Sequence, residues 1–285
     1  MTQTLGVIGG SGIGKIDELV FIKNHEIVTP WGKPSSSILE CKFNDLKLFF
    51  LHRHGSNHKL SPSAINYRAN IDALKQLGVT DILSLSSVGS LRNDLVPGNL
   101  VIIDQYIDFT KKRESTFFED GIVVHVSMAK PTDDTLMQIA RLSLDSLSID
   151  YTFGVSYVCI EGPQFSTLSE SKLYKKWGCD VIGMTNMPEA KLCKEASIRY
   201  ASIGMITDYD CWHPTYENVE VLNVIETIKS NTKKANKLVI DFLSKYSKTK
   251  IENNLDAYLS LVTPKNKINK KTIDKLKNIM PQLLK

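Results

Sequence analysis

Short apolar strands alternate with amphipathic helices along most of this chain, and several of the strands end on a hydroxyl, a glycine or a charge. Runs suited to strands fall at residues 5–10, 20–28, 37–42, 46–51, 81–90, 100–103, 155–160, 181–182 and from 201 onward. Helical patterns lie between them. One starts at Ser61-Pro62 and stops at Gly78, one spans 131–147, and one follows the capping box of Thr167 and Glu170 to Trp177. Another starts at Pro188, and a long one runs from about Pro214 to Tyr246. Such alternation predicts an α/β fold: a single unit with a central mixed, largely parallel β-sheet flanked by helices, and hairpin structure near the front.

Composition narrows the class. The 285 residues are 42% hydrophobic and 23% charged, enough for a sizeable core. A net charge of +4 is too mild to argue for nucleic acid. Cys41, Cys159, Cys179, Cys193 and Cys211 are scattered, with no C-x-x-C pair, which fits a reducing cytoplasm and neither a disulfide framework nor a zinc knot. The start lacks the pattern of a signal peptide, and no run is apolar and long enough to span a bilayer. The expectation is a cytoplasmic protein with no membrane partner. Much of the positive excess sits in Lys265, Lys267, Lys270, Lys271, Lys275 and Lys277. This divides the chain into a domain at 1–248 and a basic extension at 249–285. Leu255, Leu259, Leu261, Ile273, Leu276 and Ile279 could form short amphipathic helices there, and a solvated tail is the plainer reading.

The candidate functional residues gather where strands end. The stretch Ala201-Ser-Ile-Gly-Met-Ile-Thr-Asp-Tyr-Asp-Cys-Trp212 places Asp208 and Asp210 two residues apart at a strand terminus. Residues so spaced on extended backbone point the same way. Ligands in open α/β sheets bind beyond such ends, so the pair suits a ligand rich in hydrogen-bond donors. A solvated turn is the alternative. The turn Gly9-Gly-Ser-Gly-Ile-Gly14, with Ser11, could cradle an anion, although it matches neither the dinucleotide fingerprint nor the P-loop, and a purely structural turn explains it equally. Arg53 ends the strand at 46–51 with guanidinium donors suited to phosphate, followed by His54. Ser86, Ser87 and Thr185 add hydroxyls at other strand ends. His54 and His58 have a metal-like spacing, but Gly55 between them and the lack of a supporting glutamate argue against zinc.

Taken together these residues resemble the trimeric purine nucleoside phosphorylase family and, within it, the 5′-methylthioadenosine phosphorylases. The matching pieces include Gly6-Val-Ile-Gly-Gly-Ser-Gly12, Thr29-Pro-Trp-Gly-Lys-Pro34, Arg53-His-Gly55, Asn66-Tyr-Arg-Ala-Asn70, Ile160-Glu-Gly-Pro163, Met184-Thr185, Pro188-Glu189 and Thr207-Asp-Tyr-Asp-Cys-Trp212, in order over about the first 245 residues. The resemblance implies attack of inorganic phosphate, as co-substrate and with no other cofactor, on C1′ of a nucleoside. It places phosphate at Ser11, Arg53, His54, Ser86, Ser87 and Thr185. Asp208 and Asp210 become the catalytic acids that hold N7 and the 6-amino group of adenine. Phe165 packs beside the ribose, the Met184 backbone binds its hydroxyls, and His125 reaches in from a neighbouring subunit of a homotrimer or a dimer of trimers. Ser166, Val221 and Ile225 set substrate choice at the 5′ end, although for the last two plain core packing is the simpler reading. Two features depart from the usual pattern, and the second of them pulls toward another reading, phosphorolysis of 6-oxopurine nucleosides or 5′-methylthioinosine. Gln164 stands where Arg is usual, and Gly183-Met-Thr-Asn-Met187 resembles bacterial relatives that cleave methylthioinosine. The acid pair favours adenine.

Overall fold

Leu5–Gly9, strand β1, is buried along its whole length, as a near-continuous apolar run must be when both sheet faces are covered. This emerges from a computed structural model describing residues 3–10, 16–119, 121–214, 221–252 and 256–284, with residues 221–226 described by backbone alone. Next come β2 (Val20–His25), β3 (Ile38–Phe43) and β4 (Leu46–His52), an antiparallel set. Helix α1 (Tyr67–Gln76) leads into β5 (Asp81–Ser90), then β6 (Leu100–Asp108) and α2 (Asp134–Ser146). The chain continues through β7 (Tyr151–Cys159), α3 (Leu168–Lys176), β8 (Val181–Gly183), α4 (Asn186–Glu195) and β9 (Arg199–Asp208). Two further helices, α5 (Val221–Tyr246) and α6 (Lys270–Leu276), complete it.

The nine strands lie in the order β2-β3-β4-β1-β5-β8-β7-β6-β9, and β9 returns to pair with β5. Five strands therefore close on themselves, and β1 to β4 extend from that ring through β5. Of the nine pairings in the described residues, five are parallel and four antiparallel. The antiparallel front is as the sequence suggested. The antiparallel contacts of β8 with β5 and of β6 with β9 are not, because pairing direction leaves no local trace in an apolar run. Helices cover both faces. Ile71, Leu74 and Leu192 of α1 and α4 join one core cluster, whereas Leu136, Leu238 and Phe242 of α2 and α5 join the other.

Several boundaries move. Pro62–Ala64 forms only one 3₁₀ turn, and α1 starts after Asn66, whose side chain accepts from Ala69 N–H. β6 runs on to Asp108, beyond the apolar run at 100–103, because its partner β7 extends as far. The capping box at Thr167 and Glu170 forms as read.

The segment after 248 is not a solvated tail. Ala257, Ile268, Leu276, Ile279, Met280 and Leu283 are buried, and they belong to the same cluster as Ile71 and Leu192. Leu259 is exposed, and Leu255 lies outside the described residues. Polar contacts fasten the segment. Val262 N–H donates to Val123 O at 2.9 Å, Lys275 Nζ meets Glu119 Oε2 at 2.6 Å, and Asn278 Nδ2 donates to the buried Asp72 at 3.2 Å. The lysines mislead because they stay at the surface while one residue in three or four turns inward. Leu276→Ala should therefore lower unfolding free energy by about 2–5 kcal/mol in a urea titration. A change near zero would place this segment outside the cooperative core.

Candidate active site

Arg53 follows β4 and is 1% exposed. Its Nε and Nη2 donate to the two carboxylate oxygens of Glu189 at 2.8 and 3.0 Å, Nη2 also to Ser84 Oγ at 2.6 Å, and Nη1 to Leu85 O at 3.1 Å. Burial works against the charge, and the Glu189 carboxylate more than offsets it, so the guanidinium stays protonated. Of five N–H donors, four face these acceptors, and one on Nη1 is left for the cavity that Arg53 lines. The open fork inferred from sequence is thus a braced group presenting one edge.

Glu189 also accepts from Ser84 Oγ at 2.7 Å and from Tyr200 OH at 2.9 Å. Tyr200 in turn accepts from Asn186 Nδ2 at 2.9 Å, and Asn186 Oδ1 accepts from Ser86 Oγ at 2.9 Å. Arg53 and Ser86 are therefore tied to one turn at the start of α4, where Thr185 stands as the residue before the helix. Burial pushes the His54 imidazole down to about 4, helped by the nearby Arg53 charge, and the ring is neutral at pH 7. Its Nδ1 lies 2.8 Å from Leu60 O, a pure acceptor, so the proton sits on Nδ1 and Nε2 offers a lone pair. His54 and His58 stack at 4.1 Å. Among the described residues no group of three or more His, Cys, Asp or Glu is placed to hold a metal.

The acids stand on β9, whose Asp208 is registered opposite Gly89 of β5. A Cβ at Gly89 would come within 3.0 Å of Asp208 Oδ1 and of Ile182 Cγ2, so the missing side chain is what admits the carboxylate. Burial pushes the Asp208 carboxyl up to about 6, the Thr207 hydroxyl at 2.6 Å opposes this, and Asp210 adds a small upward push. Burial also raises Asp210, which is 3% exposed, against the opposing pull of the nearby Ser171 hydroxyl and Cys211 N–H; its Oδ2 makes no close hydrogen bond among the described residues. With only a loosely placed hydroxyl nearby, that oxygen can take a closer donor from a ligand.

One cavity of about 630 Å³ collects these groups. Arg53, His54, Ser86, Ser87, Thr185, Asp208, Asp210, Phe165, Ser166 and Met184 all line it. Phe165 is 59% exposed, so it stands at the mouth. Met184 O accepts from Arg113 Nη1 at 2.7 Å, which occupies one of that carbonyl's two lone pairs. His125 is exposed and is not among the residues lining this cavity. Ser11 lies outside the described residues, as do the side chains of Val221 and Ile225. Ile228 and Thr232, further along α5, line the cavity instead. Sequence reasoning assigns no role to Glu189, Asn186, Tyr200 or Arg113. Glu189 and Asn186 fall inside matched pieces but look like an ordinary helix start, and Tyr200 and Arg113 carry no spacing signal.

A strand-end cavity with an anchored arginine at one side and raised carboxyls at the other defines the class. Residues 4–244 match the sequence model of the Phosphorylase superfamily, and the chain belongs to that superfamily. The S-methyl-5′-thioadenosine phosphorylase of Rhodospirillum rubrum is 53% identical over 235 residues, 82% of this chain and 80% of that protein. The structure of a methylthioadenosine phosphorylase sourced from an antarctic soil metagenomic library superposes with a TM-score of 0.93 at 41% identity, covering 98% of this chain and 99% of that one. That coverage takes in the C-terminal segment, which therefore falls inside the likeness. A methylthioadenosine phosphorylase from Schistosoma mansoni in complex with adenine gives 0.83 at 34% identity, over 87% of this chain and 93% of that one. Within the superfamily the chain's place is among the S-methyl-5′-thioadenosine phosphorylases.

Removing Glu189 should expose the cost of the buried charge. Glu189→Ala leaves the Arg53 guanidinium unpaired and should cost about 3–5 kcal/mol in urea unfolding. The double variant Arg53→Met, Glu189→Leu should lose much less than the sum of the two single changes, and strict additivity would show that the pair is not coupled.

Proposed function

We propose that this chain catalyses the phosphorolysis of S-methyl-5′-thioadenosine to adenine and 5-methylthioribose 1-phosphate, a step of purine and methionine salvage. One observation carries the reading: Ser86 and Gly89 lie on the same strand, three residues apart, with Arg53 near the first and Asp208 against the second. That spacing is about 10 Å of extended chain, room for a sugar between an anion and a base. Phosphate is held by the remaining Arg53 N–H and the Ser87 and Thr185 hydroxyls, with Ser11 as a further donor; the Ser86 hydroxyl turns to it from Asn186 Oδ1, and His54 Nε2 accepts from the P–OH of the monoprotonated anion. One phosphate oxygen forms the bond to C1′ as the C1′–N9 bond breaks and its electron pair passes to the base. Positive charge builds on the ribose meanwhile, and the anion beneath it stabilises that charge. Protonated Asp208 donates toward N7, and Asp210 accepts from the 6-amino group through its Oδ2. Phosphate is the only co-reactant this mechanism calls on.

Assembly as a homotrimer belongs to the same proposal. His125 stands on the surface, where it is available to a neighbour's cavity. No helix among the described residues is long and apolar enough to cross a membrane, and the proposed setting is the cytoplasm.

Adenine release should depend on phosphate; equal rates without it would mean hydrolysis by water. The free-enzyme pH profile supplies a second check. A carboxyl raised to about 6 carries its proton below that pH and loses it above. kcat/KM should therefore fall as pH rises through about 6 on an ionisation absent from Asp208→Asn. Asp208→Asn should also lower turnover of methylthioadenosine by about 100-fold or more and spare inosine by comparison. An equal loss on both substrates would make the acid structural.

A further inference from the structure

One buried arginine is absent from the cavity lining yet touches the backbone behind two of its walls. Arg113 belongs to the irregular stretch between β6 and α2, and its side chain is 1% exposed. Nη1 donates to Met184 O at 2.7 Å and Met187 O at 2.6 Å, and Nη2 donates to Glu161 O at 2.7 Å. Nε pairs with Glu161 Oε1 at 3.2 Å, and Nη1 also reaches Tyr67 OH at 3.1 Å. The carbonyls come from two separate segments, the loop at 160–163 and the turn at 184–187 that opens α4. Ile160 and Pro163 of the first and Met184 and Thr185 of the second line the cavity.

We infer that Arg113 is a positioning residue for the reaction, fixing the distance between these two walls while touching no substrate. The inference rests on the phosphorolysis reading for what the walls enclose. Three carbonyls and a carboxylate converging on one guanidinium need a planar fork of donors, which a lysine point charge cannot reproduce. Glu161 makes the anchor firm. Burial alone would raise its carboxyl, but the N–H groups of Lys111 and Lys112, the Ser63 hydroxyl and Arg113 bring it down to about 2. Its partner stays ionised at any pH where the protein works. The stretch itself is tied down where Glu195 takes Thr116 Oγ1 and Phe117 N–H, each at 2.7 Å. Asp208 and Asp210 stand on β9 and its following turn, apart from every contact of Arg113.

That separation gives a test. In Arg113→Lys, kcat/KM for methylthioadenosine should fall about 30-fold or more, since ångström-scale misplacement costs this much. The Kd of free adenine, which reports the acid pair, should stay within about threefold. Hydrogen exchange on unliganded protein should quicken at 160–165 and 184–188 and stay unchanged in β5 and β9. Glu161→Gln, which keeps the arginine and removes its charge partner, should show a smaller loss at the same loops. Turnover within threefold of the parent, or parallel loss of adenine binding and turnover, would overturn the inference. So would failure of both variants to fold, which would make Arg113 a general folding residue. Failure of the phosphorolysis reading looks different: the parent protein itself would release no adenine with phosphate, while the exchange measurement still reports on Arg113.

Discussion

The buried ion pair between Arg53 and Glu189 is the constraint around which the site is arranged. A guanidinium at 1% exposure can stay charged only if a carboxylate meets it directly, and Glu189 does so through both oxygens. Once that carboxylate is fixed, the rest of the polar network follows. Glu189 claims the Tyr200 proton, so Tyr200 has lone pairs for Asn186 Nδ2, and Asn186 then turns its oxygen to Ser86. A single negative charge on α4 thus sets the hydrogen-bond polarity behind the Arg53 side of the cavity. The pair is close to neutral as a unit, and what it offers a ligand is one well-aimed N–H more than a net field.

The Asp208–Asp210 side of the cavity follows the opposite logic. Here the charge is left undercompensated: Asp208 has one hydroxyl partner, and one oxygen of Asp210 makes no close hydrogen bond among the described residues. Burial without full satisfaction keeps a proton on a carboxyl at pH values where an exposed aspartate has lost it. Gly89 makes this possible by leaving room opposite Asp208. The two ends of the cavity therefore differ in kind, one lined by a satisfied ion pair and the other by carboxyls raised by burial.

Much of this was legible in the chain, and the limits have physical causes. The alternation of strands and helices gave the α/β fold, and polar residues at strand ends pointed to one crevice: Arg53, Ser86, Thr185 and Asp208 do line a single cavity. These signals are local, carried by periodicity and by turn chemistry. Glu189, Tyr200, Asn186 and Arg113 were not legible, because each acts through a partner remote in sequence and none breaks the local pattern. Arg113 lies in the irregular stretch between β6 and α2, where no periodicity marks out a group with five defined donors. The closed ring of strands and the packed C-terminal segment were hidden for related reasons. Direction of pairing has no composition, and surface lysines drew attention from the inward Leu276, Ile279 and Met280.

The distance along the chain between the members of these pairs has a consequence of its own. Arg53 and Glu189 are separated by 136 residues, and Asp81 and Arg199, a second buried pair, by 118. Closing such long loops must precede any reward from the contact, and contacts of this kind slow the search for the native topology. A half-folded intermediate would then own every residue of the catalytic centre and still have no centre. Its half-assembled sheet would meanwhile show unpaired edges and lone charges to its neighbours, the kind of species that chaperones exist to shield.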